Sequence, residues 1–127
     1  MVGIMIVDDN EITVHIIDRL LTMQGYTVAA KAINGEHAIN MYKRAAIPPE
    51  IVIMDYDMPV KNGIEATIEI LNINPDCKII FLSGNSCVKV RALESGAVAF
   101  LDKPVSVPRL LQEINRFIVL PSDKRKN

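Results

Sequence analysis

A chain of 127 residues, half of them hydrophobic and with a formal net charge of -1, suits one domain around a single core. Its charge balance excludes both a basic field for nucleic acid and an acidic disordered tail. Two cysteines without C-x-x-C spacing, Cys77 and Cys87, and no secretory leader predict reduced, packing thiols in a cytoplasmic protein, and no apolar run approaches the ~18 residues of a membrane span.

In chain order, an apolar run at 4–7 ends abruptly in Asp8-Asp9. A helical stripe of Ile16, Ile17, Leu20 and Leu21 follows, then a strand at 27–31 and a second helix with Ala38, Met41, Tyr42 and Ala45 on one face. Pro48-Pro49 precedes a strand at 51–54, and Ile64, Ile68 and Leu71 mark a third helix. A strand at 78–82 leads to the weakest helix, 85–95. Its stripe of Val88, Ala92 and Leu93 is thin and its β-branched residues lower helix propensity, so it is expected to move. The strand at 98–101 precedes a helix capped by Ser106, with Pro108 in its first turn and Leu110, Leu111, Ile114 and Phe117 on its apolar face. The strands are apolar on consecutive residues, as parallel strands covered on both faces are, so the alternation predicts a doubly wound α/β fold with helices on both faces of a five-stranded parallel sheet. The domain is expected over 1–120, with 121–127 a polar tail or linker stub.

Functional groups in such sheets gather beyond the carboxyl ends of the strands. Asp8 and Asp9 follow the first strand, Asp55 the third, Ser83 the fourth and Lys103-Pro104 the fifth. Each alone reads more readily as a turn former or cap, but their conjunction at one edge points to chemistry. Three carboxylates at about 5 Å repel by roughly 3 kcal/mol per pair at an effective dielectric near 20. Lys103 can offset one of them, and a hard, oxygen-liganded dication such as Mg2+ the rest. A carboxylate such as Asp55 can then act as nucleophile toward a phosphoryl group, with Ser83 donating a hydrogen bond to it.

The segments IVDDNE, IVIMDYDMPVKNGIEA, IIFLSGN and AFLDKP, spread over nearly the whole chain, resemble the receiver domain of two-component response regulators, in particular single-domain regulators of the chemotaxis kind. The resemblance implies a flavodoxin-like strand order 2-1-3-4-5. It implies Asp55 as phosphoacceptor, Asp8 and Asp9 as Mg2+ acids, the backbone carbonyl of Asp57 as a further ligand, and Lys103 as the ammonium on the phosphoryl group. Ser83 and Phe100 match the switch hydroxyl and aromatic. Asp57, Gly84 and Asn85 would tune the phosphoryl lifetime, and a cis bond would join Lys103 and Pro104. The implied partners are a sensor histidine kinase or phosphotransfer protein and a downstream protein target or output domain. A homodimer through the last helices and strand is compatible with it, whereas direct nucleic-acid or membrane binding is not expected. With no DNA-binding motif in the chain, a stand-alone regulator is the simpler reading.

Such a domain promotes its own phosphorylation and dephosphorylation and is not a turnover enzyme. Asp55-Tyr56-Asp57 also reads as the acidic pair of a haloacid-dehalogenase-type phosphohydrolase, but that motif belongs on a first strand. A flavin carrier would need hydroxyls and glycines where Asp8 and Asp9 repel phosphate. A non-phosphorylated interaction module is the third alternative. His15 and His37 are expected to be ordinary helix residues, and Met5, Met23, Met41, Met54 and Met58 to fill gaps.

Overall fold

A computed structural model describes residues 3–118, so the tail expected at 121–127 lies outside the described residues. Five strands, β1 (Gly3–Val7), β2 (Thr27–Ala32), β3 (Ile51–Met54), β4 (Lys78–Ser83) and β5 (Ala99–Asp102), alternate with five helices. These are α1 (Glu11–Met23), α2 (Gly35–Arg44), α3 (Gly63–Ile73), α4 (Lys89–Glu94) and α5 (Val107–Arg116), and a single 3-10 turn, Ser86–Val88, precedes α4. Every pairing is parallel and the order is β2-β1-β3-β4-β5, as expected. The winding reverses between β1 and β3, where a doubly wound sheet opens its functional crevice. Among the described residues no helix is long and apolar enough to cross a membrane.

Alternate residues of the central strands serve opposite cores. Met5, Val7, Val52, Met54, Ile79 and Phe81 pack with residues of α2 and α3, whereas Ile4, Ile6, Ile51, Ile53, Ile80 and Leu82 pack with residues of α1 and α5. Burial on both faces is why these strands read as unbroken apolar runs. Each such side chain contributes about 1.5–3 kcal/mol of transfer free energy.

Three expected helix faces are corrected. In α1 the buried row is Val14, Ile17 and Leu21, while Ile16 is 53% exposed. In α3 it is Gly63, Ala66, Thr67 and Ile70, and Ile68 is largely exposed. The larger apolar residues of α3 form the neighbouring stripe because the start of the helix lies against the backbone of Asp55. A Cβ on Gly63 would sit 2.1 Å from the Asp55 carbonyl oxygen, so only glycine fits. In α4, Val88 and Ala92 are buried but Leu93 is exposed. The helix itself shrinks to six residues behind its 3-10 turn, in keeping with its weak stripe. Met23 and Cys87 are also exposed and fill no gap, whereas Met5, Met54 and Cys77 do. On α5 the acid Glu113 is buried among Leu110 and Ile114, its Oε1 paired with Arg109 at 3.0 Å and Arg116 at 3.5 Å.

The loop from β3 to α3 is tightly tied. The Gly63 N–H donates to the Tyr56 carbonyl at 3.0 Å, the Gly35 N–H to the Lys61 carbonyl at 3.1 Å, and Asn62 caps α3 in a reciprocal box with Glu65. Within it Val60 is held at a φ of 70°, a left-handed conformation that a β-branched residue adopts only under strain, and its side chain is 75% exposed. Replacing it should relieve that strain with little packing lost. Val60→Gly is expected to stabilise the protein by about 1 kcal/mol, after allowance for the greater freedom of glycine in the unfolded chain. A urea midpoint that falls in this variant would contradict the assignment of strain.

Candidate functional site

The sheet ladder sets the site residues side by side just past the strand ends. The Asp8 N–H donates to the Ala32 carbonyl at 3.1 Å, Asp55 to Val7 at 3.0 Å, and Lys103 to Ser83 at 2.9 Å. Asn10 turns the chain out of β1: its N–H donates to Asp8 Oδ1 at 2.9 Å, and its side chain accepts from Ile12 and Thr13 to cap α1. That departure lets Asp8 and Asp9 face one place although neighbours in a strand point apart.

Carboxylate oxygens of Asp8, Asp9 and Asp55 all lie within 4.8 Å of one another. Asp8 is 3% exposed and Asp55 8%, while Asp9 is open to solvent. Lys103 Nζ lies 2.8 Å from Asp8 Oδ2 and 3.5 Å from Asp55 Oδ1, and the Tyr56 N–H donates to the same Oδ1 at 2.9 Å. Among the described residues, Asp55 Oδ2 has no protein donor. Burial pushes the Asp55 carboxyl up to about 6, with the Asp8 charge adding to it and Lys103 and the Tyr56 N–H only partly opposing. Burial alone would lower Lys103, but its hydrogen bond to Asp8 and the charge of Asp55 outweigh that and raise it.

One ammonium thus faces three acids. Hard oxygen donors at this spacing, two of them buried and undercompensated, are the donor set a small dication takes, so the residues fit Mg2+. The carboxylate of Asp57 lies outside the cluster and is exposed.

Ser83 is buried at the end of β4, and its Oγ accepts from the Asn85 N–H at 3.1 Å. Gly84 is exposed, and Asn85 caps the following turn through the Cys87 N–H. Phe100 is half-buried and stacks on Phe81 with ring centres 6.1 Å apart. The peptide bond between Lys103 and Pro104 is cis. Beside Lys103 a groove of about 370 Å3, lined chiefly by Ile16, Leu20, Pro104, Val107 and Leu110, runs between α1 and α5.

Two contacts of the surrounding loops go beyond the sequence reading, which gives Tyr56 no role of its own and His37 only that of an ordinary helix residue. Tyr56 lies under the guanidinium of Arg91, with the carbon 5.8 Å from the ring centre. His37 Nδ1 accepts from the Ile33 N–H at 3.2 Å and so braces the loop after β2. Adjacency to Asp55 is a signal that could have singled out Tyr56, whereas a contact across 35 residues leaves no trace in the spacing.

A doubly wound sheet with an acidic, Mg2+-compatible crevice at its switch point and one lysine facing the acids is an arrangement suited to a phosphate-handling signalling domain. The family model described as "Response regulator receiver domain" matches residues 4–115. The chain is 37% identical over 115 residues to the chemotaxis protein CheY of Thermotoga maritima, covering 89% of this chain and 94% of that one, and 36% identical with the same coverage to CheY of Bacillus subtilis. Among solved structures, the response regulator TrrA of Thermotoga maritima in complex with Mg(2+)-BeF superposes with a TM-score of 0.85 at 26% identity, covering 93% of this chain and all of that one. CheY in the CheX-CheY-BeF3-Mg+2 complex of Borrelia burgdorferi gives 0.85 at 28% identity, covering 93% and 90%. The chain belongs to the response regulator receiver domain family, a signalling family, and its pocket of Asp8, Asp9 and Asp55 is consistent with a phosphorylation site that uses Mg2+. Membership sets aside the phosphohydrolase and flavin-carrier alternatives.

Proposed function

We propose that Asp55 accepts a phosphoryl group from the phosphohistidine of a kinase or phosphotransfer protein in the cytoplasm. The observation that carries this reading is the convergence of three carboxylates within 4.8 Å beside Lys103 at the sheet's switch point. With Oδ1 held by the Tyr56 N–H and Lys103, Oδ2 is the free nucleophile. Its bond to phosphorus forms as the phosphorus–nitrogen bond breaks, and the electron pair returns to the imidazole. Asp8, Asp9, Asp55 and the carbonyl of Asp57 would hold Mg2+, which when bound neutralises charge on the phosphoryl oxygens. Lys103 holds another of those oxygens, and the buried walls around Asp8 and Asp55 keep the field strong.

The phosphorylated residue carries about -1.5 to -2 charge and three acceptor oxygens. Ser83 turns inward to donate to one of them, and Phe100, stacked on Phe81 and half-buried, follows it. Asp57, Gly84 and Asn85 border the phosphoryl group and set how fast water removes it. The face formed by α4, β5 and α5 then changes shape for a target protein or a second copy. The donor seats against exposed Ile12 and Ile16 and the groove beside Lys103.

Incubation with Mg2+ and acetyl phosphate is expected to add the mass of one phosphoryl group, lost in EDTA and in Asp55→Asn. If the parent protein forms no Mg2+-dependent adduct, the proposal fails.

A further inference from the structure

We propose that the contact between Arg91 of α4 and Tyr56 of the β3–α3 loop is a tether that holds α4 in its unphosphorylated position and so sets how readily the domain switches. The inference rests on the phosphoacceptor reading above.

Few bonds anchor α4. It has six residues and no side-chain cap at its start, and in it and the preceding turn only Val88 and Ala92 are buried. Lys89, Val90, Leu93 and Glu94 are exposed. Arg91 reaches from this helix to Tyr56, placing its guanidinium carbon 5.8 Å from the ring centre and donating from Nη2 to the hydroxyl at 3.4 Å. Among the described residues, no other side chain of α4 bonds to another element.

The two ends of the tether belong to segments that lead from two different site residues, Asp55 and Ser83. Tyr56 is fixed to the acceptor loop, since its N–H donates to Asp55 Oδ1 and its carbonyl accepts from Gly63. At its own start the α4 segment is linked to Ser83, whose Oγ accepts the Asn85 N–H at the beginning of the turn that leads into the helix. Drawing Ser83 toward a phosphoryl oxygen strains that bond and passes the displacement to the turn and helix. Apart from the two buried apolar residues, Arg91 on Tyr56 is what resists it. A pair that stabilises one of two states shifts the equilibrium by its own differential strength, and an exposed cation–π contact of this kind is worth a factor of about 2 to 5.

The test titrates the Mg2+–beryllofluoride mimic into wild type, Arg91→Ala, Tyr56→Leu and the double variant, with affinities from calorimetry. Each single variant is expected to bind about 3-fold more tightly, and the double variant no more tightly than either, because both break the same contact. The sign is diagnostic, since removing a positive charge near an anion site would by itself weaken binding. Unchanged or weaker affinity in Arg91→Ala overturns the tether. The second measurement needs neither metal nor mimic: amide hydrogen exchange of α4 is expected to be about 3-fold faster in Arg91→Ala, and equal rates also overturn it. If the wild type fails to bind the mimic while exchange responds as expected, the phosphoacceptor reading fails and the contact to α4 stands.

Discussion

In EDTA the protein is expected to become more stable as pH falls from 8 to 5, and Asp55→Asn is expected to abolish most of that gain. The folded value of Asp55 is about 6 against an ordinary 3.8, because burial and the Asp8 charge disfavour its ionised form. Between those values the folded state binds a proton that the unfolded chain has lost, so stability rises as pH falls through 6 and levels off near 4. The gap corresponds to about 3 kcal/mol, so Asp55→Asn should exceed wild type by about that amount at pH 7.5, on the order of 10 °C in melting temperature, and match it near pH 4. Asp18, held low by its hydrogen bond to Lys31, acts in the opposite sense, but its contribution is lost only as pH falls below 3.8 and lies outside this window. Saturating Mg2+ should flatten the wild-type slope, since compensation keeps Asp55 ionised in the fold. Urea midpoints in EDTA at pH 7.5 and 5 decide it: a wild-type midpoint that falls on acidification, or an Asp55→Asn protein no more stable at pH 7.5, would refute the repulsion.

The same acids explain what sequence could and could not reveal. Asp8, Asp9, Asp55, Ser83 and Lys103 were legible because each ends or follows a buried strand, and parallel pairing carries all those ends to one edge. The strand order needed the family resemblance, since periodicity says which residues are covered and not which strands are neighbours. On α3 apolar size does not mark the buried face. There the helix start abuts the Asp55 backbone, and close approach selects Gly63 and Ala66 over Ile64 and Ile68. Val60 at positive φ, the buried Glu113 and Arg91 on Tyr56 arise only when distant segments meet, so no local pattern announces them.

Lys103→Met should act in the opposite direction to Asp55→Asn although both variants remove a charge from one cluster. Lys103 is the sole ammonium within salt-bridge distance of Asp8 and Asp55 among the described residues, at 2.8 and 3.5 Å. Removing it leaves two nearly buried carboxylates facing each other, and breaking a buried pair in this way costs about 3–5 kcal/mol. Because the Lys103 side chain is 28% exposed, the lower end is expected, about 3 kcal/mol in EDTA at pH 7.5. Adding Asp8→Asn to Lys103→Met should restore most of the loss, since the double variant no longer strands a carboxylate, with a coupling above about 1 kcal/mol. Mg2+ should recover part of the loss in the single variant, yet acetyl phosphate should label it poorly, because stability needs only a compensating charge whereas transfer needs the ammonium at the phosphoryl oxygen. A Lys103→Met protein as stable as wild type in EDTA would mean that water already screens the acids. The Asp8 contribution to the raised Asp55 value would then fall away and leave burial as its basis, so the two measurements separate the charge cluster from desolvation.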